Sequence, residues 1–599
     1  MTTDFEIAYK PIDPPKEGVN GYDGFKPGQQ TLLKKGSTRE GWDGGRTAAL
    51  ESDILLDHDV ELVMRDGAKL YADIYRPPGD EKVPCLLMWS PYGKRYSSID
   101  FLPFCTWRVG VRNEDLSGWE KFEGLDPRKW CPRGYAIASI DIRGAGHSDG
   151  FVQIMGENMG EDGYDVIEAL AKMPWCDGNV AMGGNSFLAI AQWHIAAQQP
   201  PSLKCIAPFE GCGDLAREQF CRGGVFNISN MDMTNKLIIK GQRGTEDFAE
   251  MYDRQPLSSP YWEDKRAKMD KIKVPAYITG SDVSSLHTMG NIRGFLEIDA
   301  PTWIRWTGIQ EWPELYCVEQ NDRELRQFYD YYLKGIQNGW EKTPKIRWAL
   351  LQYGDRDAID NIELDAFPPS QTQYKDLYFD HNGKLSDSKP EQAGTVSYLS
   401  RGEGAGVVTF DYKFDKTTTL LGIPKVEAFM SCKDHDDFYT HVTLTKLDES
   451  GNVLSHQVVP RERAWVPKQA QIEDKDRTSL LLFRGSMGIL RASQRKYDPA
   501  RNVCGIKNWL FHPHDAEEKV TPGDIVKLDI GIWSTGIVFY PGESLRVEFV
   551  GEGSVNHELR HFTTKWPAES TLNHGTHNIF FGGEYPSKIN VPFVELDLQ

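Results

Sequence analysis

The chain has 599 residues, a formal net charge of −19, and 40% hydrophobic and 11% aromatic residues. This length exceeds what one hydrophobic core ordinarily supports, and the apolar content excludes a wholly disordered chain. The acidic balance argues against nucleic acid and against an anionic membrane surface as partners, because binding to either requires basic patches.

The N-terminal region and the cysteines predict the cellular setting. Residues 1–50 are rich in Gly, Pro and Lys without sustained periodicity, which predicts an extended N-terminal arm. The chain does not start with a basic segment followed by an apolar run, and it contains no stretch of about 18 apolar residues, so we expect a soluble, cytoplasmic protein. The ten cysteines are scattered singly, which is typical of reduced core thiols.

Residues 51–374 carry the pattern of an α/β domain. An Asp-Gly turn at Asp66-Gly67 predicts an antiparallel hairpin. After it, short apolar runs such as VPCLLMWS, YAIASIDI and VPAYITG alternate with helical stretches, which predicts a mostly parallel sheet covered by helices. About 60 residues, roughly 211–271, interrupt this alternation and contain helical segments. They predict an inserted helical cap.

The sequence pattern changes near residue 375. From there to residue 599, strand-like segments such as DFYTHVTLTKLD, DIVKLDIGIW and ESLRVEFVG alternate with turn residues, and no long helical pattern appears. Regular short strands of this kind predict a C-terminal β-sandwich or jelly roll.

A glycine-flanked serine is the central chemical signal. In Gly183-Gly184-Asn185-Ser186-Phe187, a predicted strand runs through Ser186 into a helix, as in a nucleophile elbow. Such a turn lifts the serine hydroxyl above the sheet at a helix N-terminus, where the helix dipole favours developing negative charge. Leu188 occupies the second glycine position of the usual motif, and a plain strand-to-helix turn would have the same Gly-x-Ser signature.

Two further segments favour the nucleophile elbow over a plain strand-to-helix turn. Ser90-Pro91-Tyr92-Gly93-Lys94 ends the third strand, and Asp141-Ile142-Arg143-Gly144-Ala145-Gly146-His147 follows the fourth. With these motifs in this order, the chain resembles the CocE/NonD (cocaine-esterase-like) hydrolases of the X-prolyl dipeptidyl peptidase superfamily. The resemblance extends through the cap and the YYLKG helix to the terminal HNIFFGGEYPSKINVP.

The resemblance implies an α/β-hydrolase domain with an inserted helical cap, followed by a C-terminal jelly roll. It also implies a serine nucleophile that attacks ester or amide carbonyls, here Ser186. The oxyanion would be held by the Tyr92 hydroxyl and by the amide N–H of Phe187. A buried tyrosine with a purely structural hydroxyl is the alternative for Tyr92.

The base and acid positions depart from the family pattern. Ser284 stands at the family's acid position, and Gln310 stands about where its histidine would be. His287 follows the VPAYITG strand at the carboxyl edge of the sheet, where α/β proteins assemble their sites, so we predict His287 as the general base. His147 in the Arg-Gly-Ala-Gly-His loop is the alternative base. His58 and His194 are interpreted as structural.

Two carboxylates are candidates for the acid that orients His287. Asp282 is favoured because it is close in sequence to His287. Glu311 lies on the loop that usually delivers the histidine, and it would complete a triad in which the two positions are exchanged. Either carboxylate could instead be a solvated surface charge.

These residues favour a serine hydrolase that cleaves a small acyl ester or amide through an acyl-Ser186 intermediate. The altered base region leaves two alternatives: acyl transfer or another non-hydrolytic use of the site, and a catalytically inactive relative that acts as a binding protein. The expected partner is a small-molecule acyl substrate, and the oligomeric state stays open, a homo-oligomer included.

No metal or other cofactor is expected. His512-Pro-His514 and His574-x-x-His577 lack a matching Cys or carboxylate cluster at metal-site spacing. The chain also lacks a phosphate loop and a dinucleotide-binding glycine motif.

Overall fold

The computed structural model describes residues 5–41, 43–284, 286–463, 466–552 and 573–598. The α-helices in these ranges are α1 (Ser98–Phe101), α2 (Pro127–Trp130), α3 (Glu157–Ala171), α4 (Phe187–Ala196), α5 (Ser229–Leu237), α6 (Phe248–Arg254), α7 (Pro260–Asp264), α8 (Thr288–Glu297), α9 (Glu311–Cys317) and α10 (Glu319–Lys334).

The strands that precede residue 370 are β1 (Tyr9–Lys10), β2 (Gln30–Leu33), β3 (Ile54–Val63), β4 (Lys69–Arg76), β5 (Val83–Ser90), β6 (Ala136–Asp141), β7 (Cys176–Asn185), β8 (Leu203–Phe209), β9 (Thr245–Glu246), β10 (Ala276–Ser281), β11 (Thr302–Thr307), β12 (Ile346–Leu350) and β13 (Ile359–Glu363).

The strands that follow are β14 (Gln373–Asp380), β15 (Lys384–Ser386), β16 (Gly394–Leu399), β17 (Val407–Lys413), β18 (Thr418–Gly422), β19 (Lys425–Cys432), β20 (Tyr439–Leu447), β21 (Val453–Leu454), β22 (His456–Gln457), β23 (Leu482–Phe483), β24 (Met487–Arg491), β25 (Val526–Gly531), β26 (Thr535–Phe539), β27 (Ser544–Val550), β28 (Thr576–Phe581) and β29 (Lys588–Val594).

The first large sheet has a parallel centre with antiparallel edges. Its strand order is β13-β12-β11-β10-β8-β7-β5-β6-β4-β3-β2. Neighbouring strands from β12 to β6 run parallel, whereas β4, β3 and β2 on one edge and β13 on the other pair antiparallel. Strands β5, β6, β10 and β11 are buried at every residue, which explains why their sequences are mostly apolar. The predicted α/β sheet is confirmed.

The segment between β8 and β10 forms the predicted insertion. It contains α5, α6, α7 and a turn of π-helix over Leu215–Phe220. Its short strand β9 pairs antiparallel with β1 of the N-terminal arm, and β2 of the same arm pairs with β3 of the large sheet. The arm, predicted as an extended segment, therefore joins the inserted segment to the sheet by backbone hydrogen bonds.

The C-terminal part is a second, largely antiparallel β-structure. Among the strands described in it, only β15 and β17 pair in parallel. It has its own apolar core, in which Phe379 stacks on Phe410 and meets the edge of Phe549. The prediction of a β-rich C-terminal domain is confirmed. The change from one sheet to the other falls between Glu363 and Gln373, and the predicted division into domains at 51–374 and 375–599 stays a prediction.

Contacts between the two parts position the loop that follows β11. The Gln310 N–H donates to the carbonyl of Val458 at 2.9 Å, and His456 Nε2 lies 2.7 Å from the carbonyl oxygen of Gly308. The C-terminal part therefore holds the start of α9 in place. All ten cysteines carry free thiols, and among the described residues no helix is both long and apolar enough to cross a bilayer.

Candidate active site

Ser186 occupies a sharp turn between β7 and α4. Its backbone angles are φ 71° and ψ −102°, a conformation that non-glycine residues rarely adopt. The turn needs a glycine at position 184, because a Cβ there would lie 2.8 Å from the carbonyl oxygen of Glu123. Helix α4 starts at the next residue and is buried along its whole length. The predicted elbow geometry is present at Ser186.

Ser186 and His287 lie within hydrogen-bonding distance. Ser186 Oγ is 3.0 Å from His287 Nε2, and His287 sits at the N-terminus of α8, six residues beyond the end of β10. Burial lowers the pKa of His287 to about 3, so the imidazole is neutral at pH 7. A neutral Nε2 next to a serine hydroxyl can accept its proton, which is what a general base requires.

The alternative base lies elsewhere. His147 Nε2 is 2.7 Å from the hydroxyl of Tyr22, and the His147 ring stacks on Phe25, both in the N-terminal arm. His58 contacts Thr31 and Arg95. These contacts account for His147 and His58 as structural groups that tie the arm to the sheet.

The two candidate acids have different surroundings. Glu311 Oε2 is 3.8 Å from His287 Nε2, and burial raises the pKa of Glu311 to about 8. The Asp282 carboxyl faces Trp306, Ser534 and Gly536, and burial raises its pKa to about 6. The structure therefore brings the alternative acid, Glu311, beside His287, and the identity of the catalytic acid stays a prediction.

The direction of the Asp282 side chain explains why this residue does not lie beside His287. Strand β10 ends at Ser281, and the side chain of the next residue is directed into the contact with the C-terminal part. Proximity in sequence to His287 therefore did not become proximity in space. Glu311 approaches His287 Nε2, the same ring nitrogen that faces Ser186. The other ring nitrogen, Nδ1, has no hydrogen-bond partner among the described residues.

The two predicted oxyanion donors lie beside each other. Tyr92 is buried just beyond the end of β5, and its ring meets the edge of the Phe187 ring at 5.9 Å. Burial raises the pKa of Tyr92 well above its usual range, and the nearby Glu123 carboxyl raises it further. The hydroxyl therefore keeps its proton and can donate a hydrogen bond.

Sequence reasoning missed Glu123, which joins these groups. Its carboxyl faces the Tyr92 hydroxyl and the Phe187 N–H, and Trp312 Nε1 donates to its Oε1 at 3.1 Å. Burial, followed by the nearby Glu311 carboxyl, raises the pKa of Glu123 well above its usual range. The Lys-Phe-Glu-Gly segment around Glu123 carries no periodicity or motif that would have singled it out.

A cavity of about 180 Å³ opens onto these groups. The sheet, the inserted segment and the C-terminal part all contribute to its walls, which are mainly apolar: Phe101, Phe122, Phe220, Met231, Ile238 and Leu480. Cavities of this composition suit apolar parts of small ligands. Within the described ranges, no group of three or more His, Cys, Asp or Glu side chains is arranged to hold a metal ion.

Comparison with known proteins identifies the family. The model of the X-Pro dipeptidyl-peptidase (S15 family) matches residues 66–244, and that of the X-Pro dipeptidyl-peptidase C-terminal non-catalytic domain matches residues 338–590. A cocaine esterase from Rhodococcus sp. is 34% identical over 616 aligned positions, which cover 90% of this chain and 98% of the esterase. The chain belongs to the CocE/NonD family of hydrolases.

Solved structures agree with this membership. A CocE/NonD family hydrolase from Staphylococcus aureus, 27% identical, superposes with a TM-score of 0.83 over 97% of this chain and 99% of its own. An aminopeptidase from a marine sediment archaeon, 16% identical, has a TM-score of 0.64 over 89% of this chain and 96% of its own, which shows a shared fold. Family membership makes this protein a serine hydrolase with an α/β core and a C-terminal β-domain.

Proposed function

We propose that this hydrolase cleaves esters of small apolar or aromatic acids through an acyl-Ser186 intermediate, with His287 as the general base. The observation that carries the proposal is the distance of 3.0 Å between Ser186 Oγ and His287 Nε2 on a strained strand-to-helix turn. The esterase named among the relatives supports the choice of an ester as substrate.

The reaction would take place in two halves. Ser186 Oγ attacks the carbonyl carbon as its proton moves to His287 Nε2, and the carbonyl oxygen becomes an oxyanion that accepts hydrogen bonds from Tyr92 and Phe187. The imidazolium then gives its proton to the leaving alcohol, and the ester bond breaks. In the second half, water loses a proton to His287 and attacks the acyl carbon, and the proton returns to Ser186 as the acid leaves.

Glu311 would stabilise the imidazolium that forms in each half. A carboxylate 3.8 Å from the ring nitrogen attracts the positive charge, and the effect is large in a buried site. In this arrangement the histidine comes from the loop after β10 and the acid from the loop after β11. Since only the ionised carboxylate attracts the imidazolium, the loss of a proton by Glu311 should activate the enzyme.

The cavity supports the choice of acyl group. Phe101, Phe122 and Phe220 offer aromatic surface in the cavity that Ser186 also lines, and the volume of about 180 Å³ suits a small acid better than a long chain. Acyl transfer to an alcohol would use the same acyl-enzyme. We give it second place because hydrolysis is the reaction class of the family.

A covalent probe and a substrate series test the proposal together. A fluorophosphonate should label Ser186, as located by mass spectrometry of the digested protein, and Ser186→Ala should remain unlabelled. Turnover of p-nitrophenyl esters should fall as the acyl chain lengthens from acetate to octanoate. If Ser186 is not labelled in folded protein while a control hydrolase reacts, the chain is a binding protein. If methanol increases methyl ester formation at the expense of acid, acyl transfer is the better description.

A further inference from the structure

The oxyanion side of the site contains a carboxyl group that the mechanism above does not use. Three donors surround the carboxyl of Glu123: the Tyr92 hydroxyl, the Phe187 N–H and, at 3.1 Å, the Trp312 indole N–H. Glu123 is only 3% exposed, and it lines the cavity together with Ser186. The Tyr92 hydroxyl and the Phe187 N–H, which are expected to bind the oxyanion, therefore already face the carboxyl oxygens of Glu123.

The backbone holds Glu123 in this position from two sides. Its carbonyl oxygen accepts a hydrogen bond from the Asn185 N–H at 3.0 Å, and its own N–H donates to the Tyr316 hydroxyl at 2.7 Å. Its φ angle is 67°, in the left-handed region that glutamate rarely adopts. Strain of this kind persists only where the surroundings hold the residue in place. The elbow strand and α9 thus aim one glutamate at the site of attack.

Burial and the neighbouring Glu311 carboxyl raise the pKa of Glu123 well above its usual range, and they outweigh the Trp312, Tyr92 and Phe187 donors, each of which favours the ionised form. Among the described residues no lysine, arginine or histidine forms an ion pair with Glu123, and an unpaired carboxylate is costly to bury. The titratable side chains that interact with it include Tyr92 from the loop after β5 and Tyr316 and Glu311 from α9, and a second carboxyl raises the pKa of the first. The two glutamates titrate as a pair, in which the first proton to leave leaves one carboxyl still protonated.

We propose that the Glu123 carboxylic acid donates a third hydrogen bond to the oxyanion, beside Tyr92 and Phe187. This inference rests on the proposed function, because an oxyanion forms only if Ser186 attacks a carbonyl. Trp312 donates to Oε1, whereas Tyr92 and Phe187 face the carboxyl without completing a hydrogen bond to Oε2. Because Oε2 is buried and has no hydrogen-bond partner among the described residues, we assign the donating O–H to Oε2. The proton stays on Glu123 throughout, and no bond to it forms or breaks.

This assignment gives the two carboxyls opposite tasks. Glu311 acts ionised, next to the imidazolium, and Glu123 acts neutral, next to the oxyanion. The active form of the pair is therefore singly protonated. A pair of carboxyls in environments that separate their pKa values is a common way to obtain an acid and a base from the same residue type.

Two substitutions of Glu123 separate a neutral donor from a charge. Glu123→Gln keeps the shape and offers an amide N–H, whereas Glu123→Leu removes every donor. With p-nitrophenyl acetate, Leu should lower kcat by roughly 10²- to 10³-fold with little change in KM, and Gln should stay within about tenfold of the native enzyme. Glu120→Gln is the matched control, since Glu120 is equally buried, lies three residues earlier and does not line the cavity.

The pH profile provides a readout that a structural role would not move. In the native enzyme kcat should fall at the alkaline end as Glu123 ionises, and Glu123→Gln should lack this fall. The proposal is overturned if kcat of Glu123→Leu stays within about threefold of the native value, or if Glu123→Gln is as impaired as Glu123→Leu. It is also overturned if kcat of Glu123→Gln still falls at alkaline pH. Should Leu not fold, the Gln profile decides alone. Fluorophosphonate labelling separates this result from a failure of the proposed function. If Ser186 is still labelled completely in the Glu123 variants, only the role of Glu123 is overturned, and Ser186 remains the proposed nucleophile.

Discussion

The two sides of the candidate site differ in how closely they follow the family pattern. On the nucleophile side, Ser186, Phe187 and Tyr92 stand in the expected order, at the ends of β7 and β5. On the base side, the histidine follows β10 and the neighbouring carboxylate follows β11, which exchanges the residue types between two loops.

The difference reflects how much backbone each role requires. A nucleophile at an elbow needs a strained φ, a small residue before it and an N–H directly after it, so its sequence can vary little. A base needs only a nitrogen within about 3 Å of the hydroxyl, and neighbouring loops at one sheet edge can supply it. The base side can therefore exchange residues where the nucleophile side cannot.

Removing either member of the Ser186–His287 pair should have the largest effect. Ser186→Ala and His287→Ala should each lower kcat at least about 10³-fold on p-nitrophenyl acetate, because neither attack nor proton acceptance proceeds without the other. The double variant should be hardly slower than either single one. If the decrease in kcat of the double variant equals the product of the two single decreases, Ser186 and His287 act independently, and the proposed Ser186–His287 pair is wrong.

Tyr92→Phe should have the next largest effect, and it tests the nucleophile side of the site by itself. The loss of one oxyanion donor should lower kcat by roughly 10²- to 10³-fold, while the melting temperature changes little because the ring still packs on Phe187. Steady-state kinetics and thermal unfolding on the same sample measure this. An unchanged kcat with a lower melting temperature would mark Tyr92 as structural.

Removing the Glu311 carboxyl should have a smaller effect on kcat and should change the pH dependence of catalysis. Burial raises the pKa of Glu311 to about 8, and its ionised form is the active one, so kcat/KM should rise with pH through about 8. Glu311→Gln should abolish this rise and lower the plateau by roughly 10- to 10²-fold. The neutral His287, whose pKa is lowered to about 3, adds no limb near neutrality.

Asp282→Asn is the matched control for that variant. Its carboxyl faces Trp306 and Ser534 instead of His287, so kcat and the rise near pH 8 should both persist. A pH–rate profile that loses its rise in Asp282→Asn but retains it in Glu311→Gln would restore the acid favoured from sequence.

His147→Ala should have the smallest effect on catalysis. Its ring stacks on Phe25 and contacts Tyr22, so its removal should loosen the N-terminal arm at a cost of about 1 kcal/mol and leave kcat within about threefold. Limited proteolysis of the arm and kinetics would measure the two effects. A loss of activity comparable with that of His287→Ala would move the base to the Arg-Gly-Ala-Gly-His loop.

The local parts of this protein could be predicted from its sequence. The continuous apolar strands, the inserted helical segment, the β-rich C-terminal part and the elbow at Ser186 all rest on patterns within a few neighbouring residues, such as burial on both sheet faces or a glycine next to a strained turn. The position of His287 near Ser186 could also be predicted, because the end of a parallel strand places a residue at the sheet edge irrespective of the rest of the fold; its role as the base stays a prediction.

Only the tertiary structure decided which carboxyls meet the site. Asp282 is five positions from His287 but is directed toward the C-terminal part. Glu311 lies at the start of α9, after the next strand, and Glu123 lies in a segment about 60 residues before Ser186. The direction of a side chain in a loop depends on what packs against that loop, here Trp306 and Ser534 from distant segments. Long-range packing of this kind leaves no periodic pattern in the sequence, so the sequence alone determined the position of the elbow serine, and the fold decided which side chains surround it.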